Sequence, residues 1–279
     1  MQTLAQIKEL LESRGLSPRK TMGQNFLIDH NLIRRLVDAS GVRDSDTVLE
    51  IGPGTGTMTE ELLSRGCRVI ACELDRGLAQ LLRERFAVSH SGRFTLVEGD
   101  CLANKHSLNP DLLAALGDAS YTLVSNLPYG AATPVMSILL ADHPRCRGLY
   151  VTIQKEVADR LAARPGTKEY GTLSILAQCV AELLPVAKLP PECFWPRPEV
   201  GSAMIGMRRL PSPRCPDARA LASFCQKLFE QRRKQIGSIL GRDVGLNWPA
   251  GVSPENRAES LGLDQLNSLH IEARRIGRA

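Results

Sequence analysis

The chain has 279 residues, 43% of them hydrophobic, enough for a sizeable core and long for one domain, so one large domain and one smaller one are expected. Net charge is +5. The distribution of that charge says more than its sum: 21 basic and 22 acidic residues up to Trp195 are followed by 14 basic and 8 acidic from Pro196 onward, as expected of a C-terminal third that meets phosphates. An aromatic content of 4% argues against a stacking-platform RNA module, residues 1–22 lack the apolar core of a signal peptide, and no apolar run is long enough to span a membrane, so a cytoplasmic protein is expected.

In chain order, residues 3–13 have helical spacing (Leu4, Ile7, Leu10, Leu11) and stop at Gly15. A basic, turn-prone link, Ser17-Pro-Arg-Lys20, leads into Gly23-Gln-Asn-Phe-Leu-Ile-Asp29. Helical spacing resumes at Leu32, Ile33, Leu36 and Val37 and ends near Gly41. Strands and helices then alternate: strand Val48–Ile51, helix Thr57–Arg65, strand Arg68–Leu74, helix Gly77–Phe86 and strand Phe94–Val97. After a looser stretch come strand Tyr121–Ser125, a helix from Pro134 to Leu140, strand Leu149–Ile153 and helix Lys155–Ala163. This order of short apolar strands and helices predicts an α/β fold, an open parallel sheet with helices on both faces. Strands at Val180–Leu189 and Ser202–Arg209, separated by the proline-rich loop 190–198, would add an antiparallel edge. Pro211, Pro213 and Pro216 mark a linker, and helices are expected over Leu221–Gln231, Arg233–Leu240 and from Ser253–Gly262 onward. The eight cysteines show no C-x-x-C pair and no zinc spacing; most lie in apolar runs and read as reduced core thiols.

Two motifs carry chemistry. In Glu50-Ile-Gly-Pro-Gly-Thr-Gly56 a first strand turns into a first helix, and Gly52 and Gly54 would let the backbone approach a ligand. The pattern is neither the dinucleotide fingerprint nor a P-loop. Glu73 ends the second strand, where a carboxylate can accept from both ribose hydroxyls, and Asp100 ends the third, where it can accept from an adenine amine. These residues alone leave a nicotinamide dinucleotide open. The second motif, Asn126-Leu-Pro-Tyr129, shifts the balance, because hydride transfer has no use for it. An apolar strand that stops at Asn-x-Pro presents an amide carbonyl and main-chain acceptors beside an aromatic face. The Asn126 side chain and the Leu127 carbonyl could take the two N–H bonds of an adenine amine, with Tyr129 stacked on the base and Phe194 closing its other face. Trp195 reads as packing.

Together these stretches resemble the KsgA (RsmA) family of small-subunit rRNA adenine N6,N6-dimethyltransferases along essentially the whole chain. Further matches are Glu73-Leu-Asp75, Gln154-Lys-Glu-Val-Ala-Asp-Arg-Leu161, Lys168-Glu-Tyr-Gly171, Phe194-Trp-Pro-Arg-Pro-Glu-Val200 and Glu230-Gln-Arg-Arg-Lys234. Met22 stands where the family usually has an aromatic residue. The resemblance implies a Rossmann-like class I methyltransferase sheet over residues 1–210, with 1–45 as an N-terminal helical, cofactor-closing segment, and a small helical rRNA-docking domain over 211–279. It implies S-adenosyl-L-methionine as donor, contacted by Asn25, Leu27, Gly52, Glu73, Asp100 and Asn126, with no metal. The implied substrate is two adjacent adenines near the 3′ end of small-subunit rRNA in a pre-ribosomal 30S particle, met by a monomer. A large-subunit rRNA adenine methyltransferase of the macrolide-resistance type and an assembly factor acting by binding are the competing expectations.

Overall fold

The short apolar runs pair into one seven-stranded sheet, and the segments between them form helices. A computed structural model describes residues 1–19, 22–241 and 245–279; Lys20 of the basic link lies outside the described residues. The sheet strands are β1 (Thr47–Ile51), β2 (Arg68–Glu73), β3 (Phe94–Glu98), β4 (Tyr121–Asn126), β5 (Cys146–Gln154), β6 (Ala181–Leu189) and β7 (Ser202–Arg209). Their order is β3-β2-β1-β4-β5-β7-β6. The pairs β1–β2, β1–β4, β2–β3 and β4–β5 are parallel, while β7 runs antiparallel to β5 with Ser202 opposite Gln154. Every residue of β1 is buried, as in a central strand covered on both faces. The chain leaves β1 for β2 on one side and later enters β4 on the other. The carboxyl ends of β1 and β4 therefore flank the switch point at which open sheets bind ligands.

Local capping fixes the helices nearest that point. Helix α1 (Leu4–Glu12) starts in a capping box of Thr3 and Gln6. Helix α2 (His30–Ser40) starts on Asp29, whose carboxylate accepts from the Asn31 and Leu32 amides, and ends at Gly41 in the left-handed region. Helix α3 (Thr57–Ser64) follows the glycine turn. Helix α4 (Arg76–Leu82) is capped by Asp75 and runs into one π-helical turn, Arg83–Ala87. A two-residue strand, Phe26–Leu27, pairs antiparallel with Phe194–Trp195. Strand alternation sends Leu27 and Phe194 into the main core with Val48, Val69 and Phe86, and sends Phe26 and Trp195 into a second cluster with Ile7, Leu78 and Leu81.

Several segments depart from the sequence-based expectation. The looser stretch after β3 holds a small hairpin (Leu102–Asn104 with Ser107–Leu108) and helix α5 (Pro110–Leu116), both too short to show a period. The helix expected from Pro134 begins at Tyr129: α6 (Tyr129–Asp142) starts directly behind Pro128 and carries Pro134 inside it. Helix α7 (Lys155–Ala162) forms where expected, but α8 (Thr172–Val180) was unforeseen, because six of its nine residues are buried and no polar face marks a helical period. Helices α9 (Ala218–Glu230) and α10 (Ile236–Leu240) follow, and α11 (Leu263–Arg275) starts well after Ser253, with only a 3-10 turn at Ala258–Ser260 before it.

The chain divides into two compact units: Met1–Leu139 with His143–Ala158 and Leu184–Arg208, and Leu140–Asp142 with Asp159–Leu183 and Arg209–Ala279. A boundary drawn at residue 211 omits α8 from the second unit. Within that unit α8 is tied to the C-terminal segment by the Leu210 amide on the Val180 carbonyl (2.9 Å) and by a Cys179–Cys215 disulfide. The disulfide corrects the reading of these cysteines as reduced core thiols; the other six form no disulfide. Alkylation of the denatured protein is expected to label six thiols without reductant and eight after reduction, counted by mass. Arg232, of the Glu230–Lys234 motif, donates to the carbonyls of Tyr170 (2.9 Å) and Thr167 (2.7 Å) and pairs with Glu259. It thereby holds three segments of the unit together.

Candidate active site

The carboxyl ends of β1, β2 and β4 open on a cavity of about 480 Å³, a size typical of small-molecule sites. Its wall comprises Ile51, Gly52 and Gly54 after β1, Glu73 at the end of β2, Asp100 beyond β3, Asn126–Ala131 after β4, and Met22–Phe26. Among the described residues that line it there are two carboxylates and no lysine, arginine or histidine. That set suits a neutral or cationic ligand.

Gly52 (φ +67°) and Gly54 (φ +60°) both sit in the left-handed region. The reason for glycine is closer packing than the sequence suggests. A Cβ on Gly52 would lie 2.8 Å from Pro128 Cγ, and one on Gly54 would lie 2.8 Å from the Phe26 ring. The missing side chains make room for the Asn-x-Pro-Tyr turn and for Phe26, so the glycine turn, the acceptor turn and the Gly23–Asp29 segment interlock. Gly54→Ala is expected to cost about 1–2 kcal/mol for the left-handed backbone, plus displacement of the Phe26 ring. Chemical denaturation should show the loss, with weaker cofactor binding alongside.

Glu73 is buried. Its Oε1 accepts from the Asp75 amide (2.9 Å) and its Oε2 from the Gly54 amide (3.1 Å). Burial pushes its carboxyl up to about 6, against the pull of those two donors. Asp100 stands exposed at the rim; its Oδ1 accepts from the Leu102 amide (2.9 Å), and its carbonyl accepts from Asn109 Nδ2 (2.8 Å). The thiols of Cys72 and Cys101 also line the wall, each pushed up to about 12 by burial and hence protonated near neutrality. Glu50, outside this cavity, accepts from Thr59 Oγ1 (2.7 Å); burial pushes it up to about 8, so it sits neutral beneath the glycine turn.

On the opposite wall, Ser125 Oγ donates to the Ile51 carbonyl (2.5 Å) and ties the end of β4 to the end of β1. Asn126 follows. Its Nδ2 donates to the Asn25 carbonyl (2.9 Å), which fixes the amide so that Oδ1 is the remaining acceptor. The Leu127 amide donates to the Thr152 carbonyl (3.1 Å), anchoring the turn to β5 while the Leu127 side chain is buried. Tyr129, the first residue of α6, lines the cavity half-buried. Its hydroxyl lies 2.9 Å from Ser202 Oγ, and burial pushes its acidity below that of an ordinary tyrosine despite that bond.

Of the sequence candidates, the cavity gathers Asn25, Gly52, Gly54, Glu73, Asp100, Asn126, Leu127 and Tyr129. Two lie elsewhere. Leu27 packs in the main core, because the strand that presents Phe26 to the cavity turns its next side chain inward. Phe194 is 2% exposed in the same core, opposite Leu27 in the ribbon, and would meet a base only by leaving that packing. Residues the motifs did not single out are Gln24 and Phe26. Gln24 accepts from the Arg19 amide (2.8 Å) and donates to Asp75 (3.4 Å), and Phe26 packs under Gly54. Both lie inside the quoted Gly23–Asp29 run, so the signal was present without their roles. The residues fit an adenosyl cofactor. A buried carboxylate already anchored by two amides faces the cavity from β2, and among the described residues no competing cation lines the wall.

A family model described as ribosomal RNA adenine dimethylase matches residues 15–273. The chain is 38% identical to a ribosomal RNA small subunit methyltransferase A of Moorella thermoacetica, over 96% of this chain and 95% of that protein. It is 39% identical to the protein of the same name from Rhodospirillum rubrum, over 95% and 91%. Among solved structures, a dimethyladenosine transferase from Plasmodium falciparum superposes with a TM-score of 0.73 at 22% identity, covering 91% of this chain and 98% of that one. The 23S rRNA methyltransferase ErmE does so with 0.63 at 24% identity, covering 90% and 100%. At such identities these two likenesses speak for the fold alone.

Proposed function

The chain belongs to the ribosomal RNA adenine dimethylase family, and from that premise we propose that it uses S-adenosyl-L-methionine to dimethylate the N6 amines of two adjacent adenines near the 3′ end of small-subunit rRNA. The observation that carries the reading is the pinned Asn126 amide, whose Nδ2 is committed to the Asn25 carbonyl and whose Oδ1 is left to accept at the cavity wall. When bound, the cofactor supplies an electrophilic methyl group on a positively charged sulfur. Glu73 holds the ribose hydroxyls and Asp100 the adenine amine of that cofactor, while Gly52, Gly54 and Asn25 shape its berth.

Asn126 Oδ1 and the Leu127 carbonyl accept the two N–H bonds of the target amine. That arrangement turns its lone pair out of conjugation and stabilises the charge developing on nitrogen. The methylated nitrogen is acidic and releases its proton to solvent, so no strong base is needed. Tyr129 stacks on the base. The basic C-terminal segment docks on rRNA within a pre-ribosomal 30S particle, and the protein acts there as a monomer in the cytoplasm. The relatives named as small-subunit enzymes favour this over the large-subunit alternative, and the intact Asn126–Tyr129 wall favours chemistry over binding alone.

The test is incubation with unmethylated small subunits and, in parallel, with large subunits and labelled donor, followed by location of the product nucleotides. Dimethyladenosine at two neighbouring positions near the 3′ end is expected. Label on large-subunit rRNA, or none, overturns the proposal.

A further inference from the structure

Tyr129 enters the cavity from the first turn of α6, and its hydroxyl is held 2.9 Å from Ser202 Oγ. Ser202 is almost fully buried and opens β7, paired opposite Gln154 at the end of β5. The neighbouring Lys155 amide donates to the Gly201 carbonyl (2.9 Å), so the strand start that carries this serine is itself anchored. The ring is thus fixed at two points: its Cα behind Pro128, and its hydroxyl on a strand that arrives 73 residues later in sequence. A tyrosine tethered only at its backbone can swing about χ1; one tethered also at the hydroxyl presents a single face to the cavity.

We infer that Ser202 is a positioning residue for the methylation, setting the plane of Tyr129, and that it governs the second methyl transfer more than the first. This rests on the reading of Tyr129 as the face on which the target base stacks. In the first transfer the amine has two N–H bonds, and Asn126 Oδ1 and the Leu127 carbonyl together orient it. After one methylation only one N–H remains. Hydrogen bonding then defines the base less completely, and the stacking face carries a larger share of its orientation. Small misplacement of reacting atoms is costly to rate, so a loosened ring slows the second step more. In each transfer one N–H of the amine is replaced by N–CH3 and one proton leaves to solvent, so Ser202 needs to exchange no proton with the substrate.

The test combines Ser202→Ala, Tyr129→Phe, the double variant, and Tyr129→Ala, on small subunits with labelled donor, scoring monomethyl- and dimethyladenosine separately. Ser202→Ala and Tyr129→Phe are each expected to slow the first transfer about threefold and the second about tenfold or more, so that monomethyladenosine accumulates. Cofactor affinity should be unchanged by calorimetry. The double variant should be no worse than either single one, because both remove the same bond. Ser202→Thr, which keeps the hydroxyl, should restore the dimethyl product.

Losses that multiply in the double variant, or an unchanged ratio of products in both single variants, overturn the inference. The stacking reading is tested separately by Tyr129→Ala. If that variant loses activity while Tyr129→Phe and Ser202→Ala do not, stacking stands and the role of Ser202 falls. If Tyr129→Ala keeps full activity, the stacking reading itself has failed.

Discussion

Asn126→Ala is expected to lower the rate of methyl transfer by about 10²–10³-fold, the loss typical of removing one preorganised polar group from a site of developing charge. The amide acts at the end of β4, where Ser125 is tied to β1 and Asn126 Nδ2 to the Asn25 carbonyl, so its oxygen is fixed before substrate arrives. Alanine removes the acceptor and frees the Asn25 carbonyl, but leaves Glu73, Asp100 and the glycine turn in place. Cofactor affinity should therefore change by no more than about threefold, since at most one neutral hydrogen bond is lost on that side. Single-turnover methylation of small subunits, set beside calorimetric titration of the cofactor, separates the two effects. Equal losses in both would make Asn126 a cofactor ligand only.

Glu73 carries the second large effect. Glu73→Ala is expected to weaken cofactor binding by about 10²-fold, as two hydrogen bonds to a charged acceptor disappear. In the wild type the carboxyl stands at about 6 in the folded, cofactor-free protein against an ordinary 4.5. Between those values the folded protein keeps a proton that the unfolded chain has released. The stabilising contribution of this group is therefore full below 4.5 and is lost as pH rises through about 6. Cofactor binding runs the other way, because hydroxyl donors prefer the ionised carboxylate: affinity should climb as pH rises through about 6 and level off above it. Thermal melts of the cofactor-free protein and calorimetric titrations from pH 4.5 to 8 should give these opposed slopes; Glu73→Gln should flatten the binding curve and make the stability slope shallower, the raised Glu50 carboxyl supplying the slope that remains. A wild-type affinity that is constant across the window would show that the carboxylate does not touch the ligand.

The sequence carried most of the sheet, because short apolar runs bounded by glycine and charged residues have few alternatives to strands. It carried little of α8, whose buried residues leave no polar face to mark a period. It also mislaid the start of α6, where Pro134 looked like a beginning and Pro128 was the true one. At the site, residue types at strand ends were readable, since the topology of an open sheet brings those ends together. Side-chain direction was harder. Leu27 stands beside Phe26 of the site in sequence and Phe194 faces Leu27 across the pairing, yet a two-residue ribbon alternates faces and turns both of them into the core. The bond between Tyr129 and Ser202 joins positions 73 apart, and nothing in local spacing announces it.

That ribbon has a practical consequence for anyone shortening the protein. Asn25 holds the acceptor amide through its carbonyl, while the adjoining Phe26 wedges beneath Gly54 and stacks 6.2 Å from Trp195. One short stretch near the amino end thus acts as a common hinge pin for the donor berth and the acceptor berth. Trimming it as dispensable leader would unseat both partners of the reaction at once, even though the seven-stranded scaffold beneath them were left whole.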